Sequence, residues 1–440
     1  MRQGGHLCLA FNLMRESQTR TARLRALSRR LAPAGIVRNN AIFFVGGVVA
    51  GVFGYAFHFV VGRLLGPAAY SVVASAVAAV YLLTLPSLVI QLIGVRFTSV
   101  AVAHGDDRAL RPLLALLSLI SLGLGLLVAL VFGFGLGPLA GFLHIADLRI
   151  VGVLAISTLT GMLVSTNRGI LQGLQRFGIL SVNLVIDGVA KLAVAAALII
   201  AGLGPVGAVI GLVAGPIVAY LQSLGTLRRL PRGTPGRPIE IGQLARYAAP
   251  AAIAVVGVTY LFNIDVVLAR HYLSARDAGI YAAGAVLARA VYFLGLTVAA
   301  VMFPEVATRH ARDQGHFRVV DLSLLFLAAV GIAMIAAYLL VPALVLLPYG
   351  NQFDAVRPYL GPFAVALTLL AIANLLVNYF LSVNSARFAA PLLLAGALET
   401  VLMVAFHRDL AQLLAMLLVT TGLLAISLAI LYAIDRFRAV

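Results

Sequence analysis

Residues 182–200 read VNLVIDGVAKLAVAAALII. Apart from Asn183, Asp187 and Lys191 the stretch is apolar, and about 20 apolar residues in helical form cross a ~30 Å hydrocarbon layer. No apolar–polar alternation runs through it, so it reads as a helix whose backbone groups are satisfied internally, not as a barrel strand. The three polar residues stand at i, i+4 and i+8 and form one stripe on one face. Lys191 is the only lysine in a chain with 31 arginines. Charges in the middle third of a span are far from either interface and need a partner or a cavity. Two readings follow: Asp187 neutralises Lys191 in place, or the stripe lines a cavity where Lys191 meets an anion and Asp187 holds it or titrates with it.

The rest of the chain extends this reading. Of 440 residues, 62% are hydrophobic and only 11% charged, with a mean hydropathy of +1.05. Soluble domains carry roughly 25% charged residues, so lipid is the main solvent here. The net charge of +17 comes from arginines in short loops. That pattern signals topology and contact with anionic lipid headgroups, and no nucleic-acid partner is expected. A lone cysteine, Cys8, excludes an internal disulfide framework and a cysteine-based metal site. Residues 1–38 read as a basic cytoplasmic tail with no signal-peptide core, and Met14 is an alternative start.

Twelve helical spans are expected, at 39–65, 69–101, 113–137, 148–172, 177–201, 205–226, 246–270, 278–306, 320–347, 357–383, 388–406 and 410–434. They break at turn and charge signals such as LLGPAAY, AHGDDRALRP and GLGP. With an even count and both termini inside, 24 basic residues fall on the inner side and six on the outer, as the positive-inside rule requires. Only Lys191 and Arg289 are left unassigned to either side, and both fall deep inside spans.

The Pro-, Gly- and Arg-rich stretch RRLPRGTPGRPIEIGQ (228–243) divides the spans six and six. The expected organisation is an N-lobe over 39–227, a cytoplasmic loop over 228–245 and a C-lobe over 246–440. The halves echo each other: Tyr70 and Tyr81 are spaced like Tyr281 and Tyr292. Six spans per half make the repeats parallel, with a cavity between two bundles that can rock.

GRLLGPAAY (62–70), GILQGLQRFGILSVNLVIDGVAKL (169–192), NIDVVLARHYLSARDAGIYAAG (263–284) and MFPEVATRH (302–310) together resemble the polysaccharide-biosynthesis, Wzx-type branch of the multidrug/oligosaccharidyl-lipid/polysaccharide (MOP) flippase superfamily. The resemblance runs from about residue 38 to about 320. It implies a MATE-like, all-α integral membrane fold and a flippase of undecaprenyl-pyrophosphate-linked oligosaccharides in the bacterial cytoplasmic membrane. It also implies membrane lipids as surroundings, and the polymerase and glycosyltransferases of the same pathway as partners. Lipid II flippases of this superfamily usually have fourteen spans, two more than this chain. The competing reading is a cation-coupled exporter of the MATE type; many of those rely on an acid in the first span, where this chain has His58 and no acid.

Candidate residues follow from charge inside spans. Arg289 has no acid within four positions, and a guanidinium grips phosphate in a bidentate fork. Tyr281 and Tyr292 are spaced to share its face and stack on sugars. Asp265 is a candidate for ion coupling or for pairing with an arginine such as Arg289. Glu399 is a proton-coupling candidate or a carboxyl kept neutral by burial. Asn374, Asn378 and Gln91 suit inter-helix hydrogen bonds. GVVAG (47–51) and GLVAG (211–215) suit close helix packing, and GLGPVG (202–207) is a turn, not a dinucleotide loop. No catalytic triad, metal spacing or phosphate loop is found, so neither an enzyme nor a cofactor is expected.

Overall fold

The computed structural model describes residues 4–103, 105–134, 136–231, 241–312 and 314–438, without the side chains of 4–41, 132–134, 136, 139, 241–248 and 311. The side chains of the basic tail, Cys8 and Met14 among them, and residues 232–240 of the central loop lie outside what is described. The chain is all α-helix: α1 (Gly4–Leu83), α2 (Leu85–Ala103), α3 (Leu110–Phe134), α4 (Leu136–Phe142), α5 (Leu148–Gly173), α6 (Phe177–Leu198) and α7 (Gly204–Leu227) precede the central loop. After it come α8 (Ile241–Leu261), α9 (Ile264–Tyr272), α10 (Ala275–Ala311), α11 (Phe317–Leu340), α12 (Pro342–Leu346), α13 (Arg357–Ser382), α14 (Ala389–Ala405) and α15 (Leu410–Arg438).

Among the described residues, ten helical runs are long and apolar enough to cross a membrane. Two reversals and one shorter helix each add a crossing, and α2 continues across Thr84 the crossing that begins after Gly66, which leaves the twelve expected crossings. The first reversal lies inside α1 at Gly66, whose φ is +72°. His58 Nδ1 and the Tyr70 hydroxyl are 2.9 Å apart, whereas twelve residues of continuous helix would separate them by ~18 Å. The second reversal joins α6 to α7 through Gly202 (φ +92°) and Gly204 (φ +55°), the turn expected from GLGPVG. The eleventh crossing is α14, at 17 residues.

Close packing in the α6–α7 hairpin depends on its glycines. A Cβ at Gly211 would stand 2.6 Å from the Lys191 carbonyl, and one at Gly215 would stand 2.3 Å from Asp187 Oδ1. The expectation for GLVAG is met, but that for GVVAG is not: a Cβ on Gly47 or Gly51 would meet nothing within 4 Å. Only Gly46 approaches a neighbour there, Ser181. Val48 and Val52 beside them are exposed, as a lipid-facing surface would be.

Helices α1–α7 pack mainly on one another, as do α8–α15, and the two bundles meet where α1 runs along α9 and α10 and where α2 meets α8. The repeat is visible in Tyr70 and Tyr281, both fully buried near the start of each half's second crossing. It fades at the second pair, where Tyr81 is 50% exposed and Tyr292 only 6%. Prolines interrupt the ladder inside α7 (Pro216), α8 (Pro250), α10 (Pro304) and α13 (Pro362), places where a packed bundle can bend. The seventh crossing breaks without a proline, at Phe262–Asn263 between α8 and α9.

Candidate functional site

The polar stripe of α6 is held by a residue from another helix. Arg168 on α5 donates to Asp187 Oδ2 at 2.6 Å and, through Nε, to Asn183 Oδ1 at 2.8 Å. Asn183, fully buried, donates in turn to the Ala219 carbonyl at 2.6 Å and to Gln222 Oε1 at 2.7 Å on α7. Asp187 is therefore matched by Arg168, and its expected pairing with Lys191 is corrected. The lysine makes no ion pair among the described residues; its ammonium lies over the Phe57 ring, 5.1 Å from the centroid. A cation over an aromatic face gains ~0.5–2 kcal/mol and leaves the net charge uncancelled.

In the second half, the α8–α9 break does the positioning. Unwinding at Phe262–Asn263 frees the Phe262 carbonyl at the negative end of α8, and Arg289 of α10 donates to it. The guanidinium also lies over the Phe262 ring at 4.3 Å. Arg289 is buried and forms no direct ion pair among the described residues, with the carboxyl of Asp265 within electrostatic reach of it. Asp265 sits in the first turn of α9, where the helix dipole favours a carboxylate. Its expected pairing with Arg289 is replaced by a hydrogen bond from Tyr281, 3.2 Å to Oδ2. Asp265 Oδ1 and both oxygens of fully buried Glu399 have no hydrogen-bond partner among the described residues, and the two carboxyls lie within electrostatic reach of each other. Asn378 donates to the Asn374 carbonyl at 2.8 Å, within α13 and not between helices.

The aromatic neighbours of Arg289 also differ from expectation. Tyr281 is buried against Phe363, with ring centroids 4.9 Å apart, and Tyr292 packs on Phe262 at 4.5 Å. The ring on the guanidinium is Phe262. Half-exposed Phe293 meets Tyr55 of α1 edge-on at 6.1 Å. His58 of α1 lies within electrostatic reach of both Lys191 and Arg289, so the two cations approach the first crossing from opposite halves.

At the Gly66 end the halves are joined by polar contacts. Buried Arg270 of α9 donates to the carbonyls of Leu143 (2.9 Å) and His144 (2.8 Å) and to Ser71 Oγ (2.9 Å). His271 stacks on Phe142 at 4.1 Å. Gln352 donates to the Arg63 carbonyl at 2.8 Å, and the Tyr70 and Tyr349 hydroxyls are 3.0 Å apart. Gly279 of α10 touches Pro67 so closely that a Cβ would stand 1.9 Å from its carbonyl oxygen. Together these contacts latch one end of the inter-lobe space.

Three participants escaped the sequence reading. Arg168 and Arg270 read as topological charges near the ends of spans, whereas each is engaged by other helices. The carbonyl of Phe262 is freed by a break whose one sequence signal is Asn263 in an apolar run.

A family model described as Polysaccharide biosynthesis protein matches residues 36–309, more than half of the chain. The chain belongs to that family. Solved structures place this polysaccharide-biosynthesis chain in the fold of the MOP superfamily. It superimposes on an inward-facing multidrug resistance MATE family transporter with a TM-score of 0.71 at 13% identity, covering 89% of this chain and 94% of that one. An inward closed conformation of the lipid II flippase MurJ gives 0.70 at 12% identity over 90% and 87%. An outward-facing MATE transporter gives 0.55 at 16% identity over 92% and 95%. A comparison with curated protein sequences gave no match.

Proposed function

We propose that the protein is a flippase that moves undecaprenyl-pyrophosphate-linked oligosaccharides across the bacterial cytoplasmic membrane for surface polysaccharide synthesis. Both termini would be cytoplasmic, with the six-helix lobes of 39–227 and 246–440 alternating about the space between them. The observation that carries this reading is a pair of cations without a direct ion-pair partner among the described residues, Lys191 and Arg289, one per half, flanking the same helix. A buried cation costs several kcal/mol unless something compensates it. A diphosphate bridging the two would neutralise both and draw the lobes together. Asn183 and Arg168 fix the stripe beneath Lys191. Tyr281 and Tyr292 support Phe262 and Asp265 from behind, and the exposed ring of Phe293 is the better surface for a sugar.

The test is flipping of a fluorescent undecaprenyl-diphosphate sugar by the purified protein in liposomes. Lys191→Ala should slow it by about tenfold, the loss of one charge-assisted phosphate contact, with unchanged protein recovery. A rate equal to wild type in the variant would remove the cationic site from the mechanism.

The multidrug-export reading places the essential chemistry on acids instead, and one observation keeps it in view. Asp265 and Glu399 lie close together with three unpartnered oxygens, a suitable place for a coupling proton or monovalent cation. In the same liposomes, Glu399→Gln should abolish stimulation by an imposed proton or sodium gradient while leaving downhill flipping of the diphosphate lipid within about threefold of wild type. Loss of downhill flipping in Glu399→Gln with none in Lys191→Ala would favour the exporter.

A further inference from the structure

We infer that His58 is a ligand-contacting residue of this anion site, presenting Nε2 to a diphosphate held between Lys191 and Arg289; the inference rests on the function proposed above. Three observations place the imidazole there. It lies within electrostatic reach of both cations. Phe57, its neighbour in the chain, carries the ammonium of Lys191 on its ring. Tyr55, one helical turn earlier on the same face, has a buried hydroxyl without a hydrogen-bond partner and lies near Arg289. The face of α1 formed by Tyr55, His58 and Gly62 thus turns toward the other half, and at Gly62 it meets Tyr349 directly.

The hydrogen bonding of His58 says which nitrogen serves the ligand. Nδ1 is engaged by the Tyr70 hydroxyl, which is itself engaged by Tyr349. Nε2 makes no hydrogen bond among the described residues. With Tyr70 donating to Nδ1, the neutral ring carries its proton on Nε2 and offers an N–H donor to a phosphate oxygen. Fixing one imidazole nitrogen through a second residue orients the other, as in metal sites where a histidine's far nitrogen is held by a carbonyl or carboxylate. The result is a three-point anion site with a point charge from Lys191, a planar fork from Arg289 and a neutral donor from His58. Such a site distinguishes a diphosphate, which can span it, from a monophosphate, which cannot.

Two amides separate the two nitrogens of His58. His58→Gln places its amide nitrogen near the position of Nε2, and His58→Asn places its amide near Nδ1, beside Tyr70. The experiment measures binding of radiolabelled undecaprenyl diphosphate to the full-length purified protein, with inorganic pyrophosphate as competitor and undecaprenyl monophosphate as control. Melting temperatures of both variants check the fold. His58→Gln should bind within about threefold of wild type, and His58→Asn about tenfold more weakly, as for one lost hydrogen bond to a charged group. Equal binding by the two variants, at any level, or tighter binding by His58→Asn overturns the inference. Lys191→Ala and Arg289→Ala are measured alongside. If neither weakens diphosphate binding, the cationic site itself fails. If both weaken it while the two His58 variants bind alike, only the role of His58 fails.

Discussion

Replacing Arg289 by alanine is expected to reduce flipping of a diphosphate-linked lipid by on the order of a hundredfold, the largest loss of any single substitution in the site. Two contributions add. The variant loses a bidentate, charge-assisted grip on phosphate, worth ~1.5–3 kcal/mol per charged hydrogen bond. It also strands the Phe262 carbonyl, which Arg289 now caps at the α8–α9 break, and a buried unsatisfied carbonyl costs ~1–3 kcal/mol. Arg289→Lys keeps the charge but loses the fork and the stacking on Phe262, so an intermediate defect of about tenfold is expected. Initial flipping rates in liposomes, with protein quantity checked by immunoblot, decide the matter. A wild-type rate in Arg289→Ala would rule out the site.

The second large effect is conformational. Gly279→Ala should unlatch the Gly66 end, because the added carbon would stand 1.9 Å from the Pro67 carbonyl oxygen. Backbone lies on both sides of that contact, and no flexible side chain can yield. Overpacking costs ~1–3 kcal/mol, and 1.4 kcal/mol changes a population ratio tenfold, so the latched state should fall at least about tenfold against the open one. Spin labels at Arg149→Cys and Arg408→Cys, in a Cys8→Ala background, report the distance between the halves by pulsed electron resonance. Wild type should show mainly the short distance, and Gly279→Ala mainly a longer one. Arg270→Ala, which removes three hydrogen bonds to the first half without adding bulk, should move the distribution the same way. Unchanged distances in both variants would mean that these contacts do not hold the lobes together.

Much of this architecture was legible in the chain because hydrocarbon imposes a coarse and uniform demand. Each crossing must be a long apolar helix, so α3, α5, α10, α13 and α15 stand out by hydropathy alone, and Gly66, Gly202 and Gly204 mark reversals by their freedom at positive φ. Lys191 and Arg289 were also legible, since the count of loop arginines left only these two basic residues unexplained. The charge pairing was not. Asp187 and Lys191 stand four apart on one helix, yet Asp187 binds Arg168, nineteen residues away on α5. Asp265 likewise takes Tyr281 in place of Arg289. Sequence spacing describes neighbours on a single helix, whereas these partners depend on the rotation and depth of two helices against each other. The same limit explains GVVAG and GLVAG: identical small-residue spacing meets no neighbour on α1 and packs against α6 on α7.

By itself, then, the sequence determined the solvent, the number of crossings, the division into halves and the two cations that topology does not require. Hydropathy and charge count act residue by residue, and the bilayer reads them without knowing the fold. Only the tertiary structure decided that Lys191 and Arg289 both stand beside one helix without a direct ion-pair partner among the described residues, with His58 within electrostatic reach of both and one end of the space latched. Those facts depend on which helix faces meet across the two halves, and packing of the whole bundle sets that.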